Sequence, residues 1–182
     1  MYNINHNKEA NILEVTNSDT TVFGKIHLNQ GASLQELTLG GKKIIEDLSP
    51  LNYEDSFASS ILFPFANRIK DGVYSFNNEA FQLEKNQDDE QNALHGFVYN
   101  KMFKIIVKEA LSDTAKITLA YNERNKTAGF PYTYSIQVTY IFNKNTLSLQ
   151  VKVKNTDSKP FPFTMGWHPY FISDNLSKST LN

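Results

Sequence analysis

Cysteine is absent from the 182 residues, and Trp167 is the single tryptophan. Without thiols there are no disulfide staples, thiolate zinc sites or cysteine nucleophiles, which fits a reducing compartment. Long hydrophobic runs are missing too. No stretch approaches the ~20 apolar residues that a membrane-spanning helix needs. The opening segment MYNINHNKEANILEV has no apolar region of the signal-peptide kind. A cytoplasmic location is the expectation. Excess charge is also lacking, with a formal net charge of -1 and the basic residues scattered. Such a chain exerts no long-range pull on nucleic acid or anionic membrane, so neither is expected as a partner. A small, neutral ligand fits better. No Walker motif, dinucleotide glycine pattern, His-Glu-x-x-His, calcium loop or nucleophile elbow occurs, and His6 and His27 have no metal-ligand spacing. No metal or organic cofactor is expected.

Short alternating segments fill most of the chain. Asn11 to Leu28 alternates through Ile12, Leu13, Val15, Val22, Phe23, Ile26 and Leu28, and Gly40-Gly41 joins Gly31–Leu39 to Lys42–Ile45. Tyr74–Phe76 and Phe81–Leu83 flank Asn77-Asn78, a hairpin tip by residue type, since Asn tolerates the left-handed backbone of tight turns. Phe103–Val107 is expected to pair with Ala115–Tyr121. Tyr132, Tyr134, Ile136, Val138 and Tyr140 should share one strand face; Leu147, Leu149, Val151 and Val153 should share another after the turn Asn143-Lys144-Asn145. Lys152 and Lys154 would then face solvent. The one short helical candidate is Tyr53–Ser60. No internal repeat or linker divides the chain, and its length suits one well-cored domain over 1–182. The reading is all-β: a large antiparallel β-sandwich.

Three segments carry candidate chemistry. In Phe63-Pro64-Phe65-Ala66-Asn67-Arg68, the arginine offers a fixed fork of donors to ligand oxygens; a structural ion pair, for instance with Asp71, is the alternative. In Leu94-His95-Gly96, the glycine lets the backbone turn or approach a ligand closely, and His95 either faces a cleft or caps a loop. In Gly166-Trp167-His168-Pro169-Tyr170-Phe171, the proline restricts His168 to extended conformations and so aims its imidazole; a histidine satisfied within an aromatic cluster is the alternative. The 9 Tyr and 13 Phe must mostly be core, with some free to stack on the apolar face of a pyranose.

ILFPFANRIKDGVYSFNNEAFQLEKN, NALHGFVYNKMF and MGWHPYF, in that order and spacing, resemble the aldose 1-epimerase (galactose mutarotase) family, with likeness running from GASLQELTLGG to the last dozen residues. The resemblance implies a galactose mutarotase-like sandwich and an isomerase that interconverts the α and β anomers of a free aldose of the glucose or galactose type. It implies that Arg68, accompanied by Asn67, grips sugar hydroxyls. It implies His95 as the histidine that orients the sugar, and His168 as the general acid at the ring oxygen. Family members run well beyond 182 residues, and their general base is a glutamate near the C-terminus, preceded by a substrate-gripping aspartate; neither has a counterpart here. The chain is therefore expected to match the N-terminal part of such an enzyme, truncated at the C-terminus, with exposed sheet edges that favour self-association. The alternative is a non-catalytic carbohydrate-binding β-sandwich.

Overall fold

The computed structural model describes residues 1–87 and 90–180. The N-terminal strands β1 (Tyr2–Asn7), β2 (Ile12–Asn17), β3 (Phe23–His27), β4 (Ser33–Leu39) and β5 (Lys42–Ile45) form an antiparallel meander in sequence order. The helix α1 (Tyr53–Ser56) is a single turn closed by Phe57 at φ 50. Short pieces follow: β6 (Ile61–Leu62), β7 (Arg68–Ile69), the hairpin β8 (Val73–Phe76) and β9 (Glu79–Gln82), and β10 (Ala93–Leu94). A second meander contains β11 (Lys104–Ala110), β12 (Ala115–Glu123), β13 (Tyr134–Asn143) and β14 (Thr146–Asn155), and β15 (Gly166–Trp167) comes last.

Period-two patterning explains the second meander. Along β13, Tyr134, Ile136, Val138, Tyr140 and Phe142 are all at most 1% exposed while the residues between them are half-buried. Ala115, Ile117 and Leu119 of β12 are fully buried on the same side, and the register Leu119↔Val138 aligns the two apolar rows. Lys152 and Lys154 of β14 are exposed, as alternation requires. The hairpin β8–β9 turns through Asn77 and Asn78 at φ 50 and 63, the backbone for which asparagine is suited.

The two meanders share one apolar core. Their contact is close where Gly24 of β3 meets Phe142 of β13: a Cβ at Gly24 would stand 2.4 Å from a ring carbon. The missing side chain is what lets the phenylalanine ring lie against the backbone of the opposing sheet. Tyr140, buried in the same layer, donates its hydroxyl to Ala32 O at 2.9 Å, so a polar atom in the core is satisfied rather than stranded. The edges differ. β5 is covered by the C-terminal segment, through an Ile45–Phe171 bridge and Ile172 N donating to Ile44 O. β14 pairs only with β13 among the described residues.

The sequence reading placed the long strands and the single turn of helix. It made no strand of Tyr2–Asn7, where β1 pairs with β2 and Tyr2 N donates to Leu111 O, tying the first strand to the second meander. It also missed the two-residue strands β6, β7, β10 and β15, and these position the candidate site.

Candidate functional site

Three separate segments are laid side by side by backbone hydrogen bonds. β7 and β10 pair with Arg68 opposite Leu94, and His95 N donates to Asn67 O at 3.0 Å. That places His95 one step from the Asn67-Arg68 pair. β15 pairs with β6, and His168 is pinned in both directions: its N donates to Ser60 O at 3.1 Å, and its O accepts from Ser59 N at 2.9 Å. Flanking side chains extend this zipper. Trp167 Nε1 donates to Ser59 O at 3.1 Å, and the Tyr170 hydroxyl donates to Ser56 O at 3.0 Å. Phe63 and Gly96 bridge the two strand pairs in parallel, with Phe97 N donating to Phe63 O at 2.8 Å.

This arrangement brings the imidazoles of His95 and His168 edge to face, centroids 5.1 Å apart. Phe57 packs against His95 with ring centroids 4.8 Å apart, and Tyr170 lies 5.2 Å from His168. The four residues singled out in the sequence thus lie on or directly beside pieces of strand too short to show periodicity: Arg68 in β7 with Asn67 before it, His95 just after β10 and His168 just after β15. Phe57, Ser59 and Tyr170 were not foreseen as contributors; each either supports an imidazole or fixes its backbone.

Several left-handed residues lie in these segments. Phe57, Ser59, Asn67 and His95 have φ of 50, 55, 60 and 63, followed by Gly96 at 76. A non-glycine residue in the left-handed region costs about 1–2 kcal/mol, and clusters of such residues recur at ligand-binding and catalytic sites.

The electrostatics separate the two histidines. His95 is 9% exposed, and its pKa falls to about 4, first because burial disfavours the imidazolium, then through the positive charges of His168 and Arg68. Its Nδ1 is buried without a hydrogen-bond partner among the described residues. The neutral imidazole therefore keeps one buried ring nitrogen unpaired inside the fold. No carboxylate makes a hydrogen bond or ion pair with either imidazole among the described residues, and no cluster of three potential metal ligands occurs there.

Three neighbouring side chains hold Arg68. Its Nε donates to Glu90 Oε2 at 2.9 Å and to Gln87 Oε1 at 3.0 Å, and Nη1 reaches Asn67 Oδ1 at 3.3 Å. The ion-pair partner is therefore Glu90 rather than Asp71, whose backbone turns at φ 54 and whose N is engaged by Asn92 Oδ1. Both side chains of the Arg68–Glu90 pair are about half exposed. Such pairs contribute about 0–1 kcal/mol, so they orient the guanidinium without locking it away from a ligand.

The depressed pKa of His95 gives a pH prediction. Unfolded, the imidazole has its ordinary pKa of 6.5; folded, about 4. Between these values the unfolded chain binds the extra proton, so the stability associated with neutral His95 is complete above 6.5 and is lost as pH falls toward 4. Urea midpoints at several pH values should decline over this window in the wild type and decline less in His95→Gln. Parallel slopes would remove His95 as the cause.

The profile of the aldose 1-epimerase family matches residues 13–182. Escherichia coli K12 YihR, an uncharacterized protein, is 29% identical over 148 residues, 81% of this chain and 46% of its own length. A galactose mutarotase-like protein from Clostridium acetobutylicum superposes with TM-score 0.78 at 18% identity, covering 94% of this chain and 54% of that one. Galactose 1-epimerase from Lactobacillus acidophilus NCFM superposes with TM-score 0.72 at 23% identity, covering 94% and 53%. The chain spans about half the length of these relatives. Its all-β antiparallel fold resembles the galactose mutarotase-like superfamily, and over nearly all of its residues it belongs to the aldose 1-epimerase family.

Proposed function

We propose that this chain carries the acid side of an aldose 1-epimerase site, with His168 as general acid, His95 as a neutral orienting group, and Arg68 with Asn67 gripping hydroxyls of a free, unphosphorylated aldose of the glucose or galactose type. The observation that carries the reading is the contact of the two imidazoles, 5.1 Å apart, beside the strand that bears Arg68. In the reaction, a base takes the proton of the anomeric hydroxyl while the acid protonates the ring oxygen. The bond between the anomeric carbon and the ring oxygen breaks, the aldehyde carbon rotates, and the ring closes on the other face as both protons return. Imidazole suits the acid role because its ordinary pKa keeps both protonation states accessible near neutral pH. His95, held neutral by burial, accepts or donates a hydrogen bond without carrying charge.

Among the described residues no carboxylate base makes a hydrogen bond or ion pair with either imidazole. That observation favours a second reading, a non-catalytic carbohydrate-binding fold in which Arg68, Asn67 and the aromatic residues hold a sugar that is not turned over. The two readings part on one measurement: anomer exchange of freshly dissolved α-glucose and α-galactose by polarimetry. Acceleration that depends on His168 supports the first; sugar binding without acceleration selects the second; neither binding nor acceleration sinks both.

Self-association belongs to the same proposal, in a cytoplasmic setting. The ten residues of β14 have an unpaired edge among the described residues, and Phe163, Met165, Phe171 and Leu176 are 44–81% exposed. Free edges and apolar surface invite pairing with a second copy. Size-exclusion chromatography with light scattering should give a dimer or larger; a clean monomer at working concentration contradicts it.

A further inference from the structure

We propose that Tyr53 is a positioning residue for the two imidazoles: its hydroxyl ties the segment that follows His95 to the segment that pins His168, and so sets the spacing of the rings. The proposal deepens the reading of His95 and His168 given above and rests on it only for the rate measurement below. Among the described residues the Tyr53 side chain hydrogen-bonds to neither imidazole. Its effect on them passes through the chain it holds.

One hydroxyl meets three separate segments. The Tyr53 oxygen stands 2.9 Å from Gln30 O, in the turn between β3 and β4. It stands 2.8 Å from Tyr99 O, shortly after His95 in the chain, and 2.7 Å from Ser60 Oγ. A phenol has a single proton to donate. That proton is shared between the two carbonyl oxygens, which leaves the Ser60 hydroxyl to donate to the Tyr53 oxygen. The Ser60 carbonyl in turn accepts from His168 N at 3.1 Å. Ser60 is thus held by Tyr53 through its side chain and holds His168 through its backbone. Burial pushes the Tyr53 pKa up to about 12, so the phenol keeps its proton near neutral pH.

The turn of helix that carries Tyr53 is engaged at its other end as well. A single turn is too short to persist by itself. Phe57, which closes α1, packs 4.8 Å from the His95 ring and 5.0 Å from the Tyr99 ring, and Ser56 O accepts the Tyr170 hydroxyl. The third segment is docked as closely. Gly31 N donates to Lys101 O at 3.0 Å, and a Cβ at Gly31 would stand 2.6 Å from Val98 O. The turn bearing Gln30 therefore lies against the chain that leads away from His95. Loss of the Tyr53 hydroxyl would leave two carbonyls and a serine hydroxyl without their shared partner, and unpaired polar groups inside a fold are costly. The segments would part to find water, and the imidazoles would part with them.

The test is NMR titration of His95 in Tyr53→Phe, which keeps the ring and removes only the hydroxyl. Water enters and His168 recedes, and both changes raise the His95 pKa, which should move from about 4 toward 6.5. Tyr74→Phe is the control. The Tyr74 hydroxyl donates to Gly129 O at 2.9 Å, so this variant loses a tyrosine hydrogen bond outside the imidazole segments. Its Tm should fall while His95 titrates as in the wild type. Ser60→Ala removes only the bond to Tyr53; it should shift His95 in the same direction, and it decides the matter if Tyr53→Phe does not fold. Where the wild type exchanges anomers, Tyr53→Phe should lower kcat by about tenfold to a hundredfold with KM little changed, the scale for a small misplacement of a reacting group. The titration needs no turnover, so its result is separate from the fate of the mutarotase reading. A His95 pKa that stays at about 4 in Tyr53→Phe, or in Ser60→Ala where that variant alone folds, overturns the proposal. So does an equal rise in Tyr74→Phe, which would make the shift a general consequence of lost stability.

Discussion

Gly96→Ala should destabilise the chain by about 3 kcal/mol or more and disorganise the candidate site with it. The glycine sits at φ +76, and an added Cβ would stand 2.2 Å from Phe63 O and 2.4 Å from Phe63 C. Those atoms are backbone, so no rotamer change relieves the overlap. The left-handed conformation costs an alanine about 1–2 kcal/mol. Moving Phe63 away also breaks the 2.8 Å hydrogen bond from Phe97 N, worth roughly 1 kcal/mol, and disturbs a fully buried side chain. For a domain of this size, 3 kcal/mol lowers Tm by roughly 6–12 °C. The bridge being pushed apart is the one that joins the His95 segment to the strand pair holding His168, so sugar binding should weaken in parallel. Calorimetry and a sugar titration on the variant check both. A melting temperature like the wild type would show that Gly96 is not packed against Phe63 as described.

The same bridge marks where the sequence stopped being readable. β13 could be placed from its residues because burial alternates over ten positions, long enough for a period of two to stand out from noise. The Asn77-Asn78 tip was legible because residue type alone favours that backbone. β6, β7, β10 and β15 are two residues each; no periodicity exists at that length, and their pairing is set by distant segments. The left-handed turns at Phe57 and Ser59 carried no signal either, since neither residue type favours φ > 0. The candidate site residues were singled out from their motifs, and the family resemblance, which reads identity and order rather than local preference, assigned their roles. The partner of Arg68 was not legible. Asp71, only three positions further on, is not the partner, and Glu90 arrives instead from the segment before β10. Ion-pair choice on a surface is decided by loop conformation, which sequence spacing does not encode.

His168→Ala is expected to lower anomer exchange by about 10²–10⁴-fold, the usual worth of one positioned acid or base and about 3–5 kcal/mol of barrier, while sugar still binds through Arg68 and Asn67. The structure makes this substitution informative. The backbone of His168 is hydrogen-bonded on both sides, to Ser60 O and from Ser59 N, and the neighbouring Trp167 and Tyr170 make their own anchoring bonds. Removing the imidazole therefore leaves the strand in place, and a rate loss reports chemistry rather than collapse. A second readout distinguishes the two. His168 is one of two positive neighbours that hold the His95 pKa down, and it also packs against that ring. Its loss removes a repulsive charge and admits water, and both changes raise the His95 pKa. NMR titration of His95 should thus move upward from about 4 in the variant, with the fold's melting temperature little changed. An unaltered rate alongside a shifted His95 would keep the pair as a binding element and remove His168 as the acid. An unaltered His95 would mean that the two imidazoles are not in contact at all, and the convergence on which the proposed site rests would fall with it.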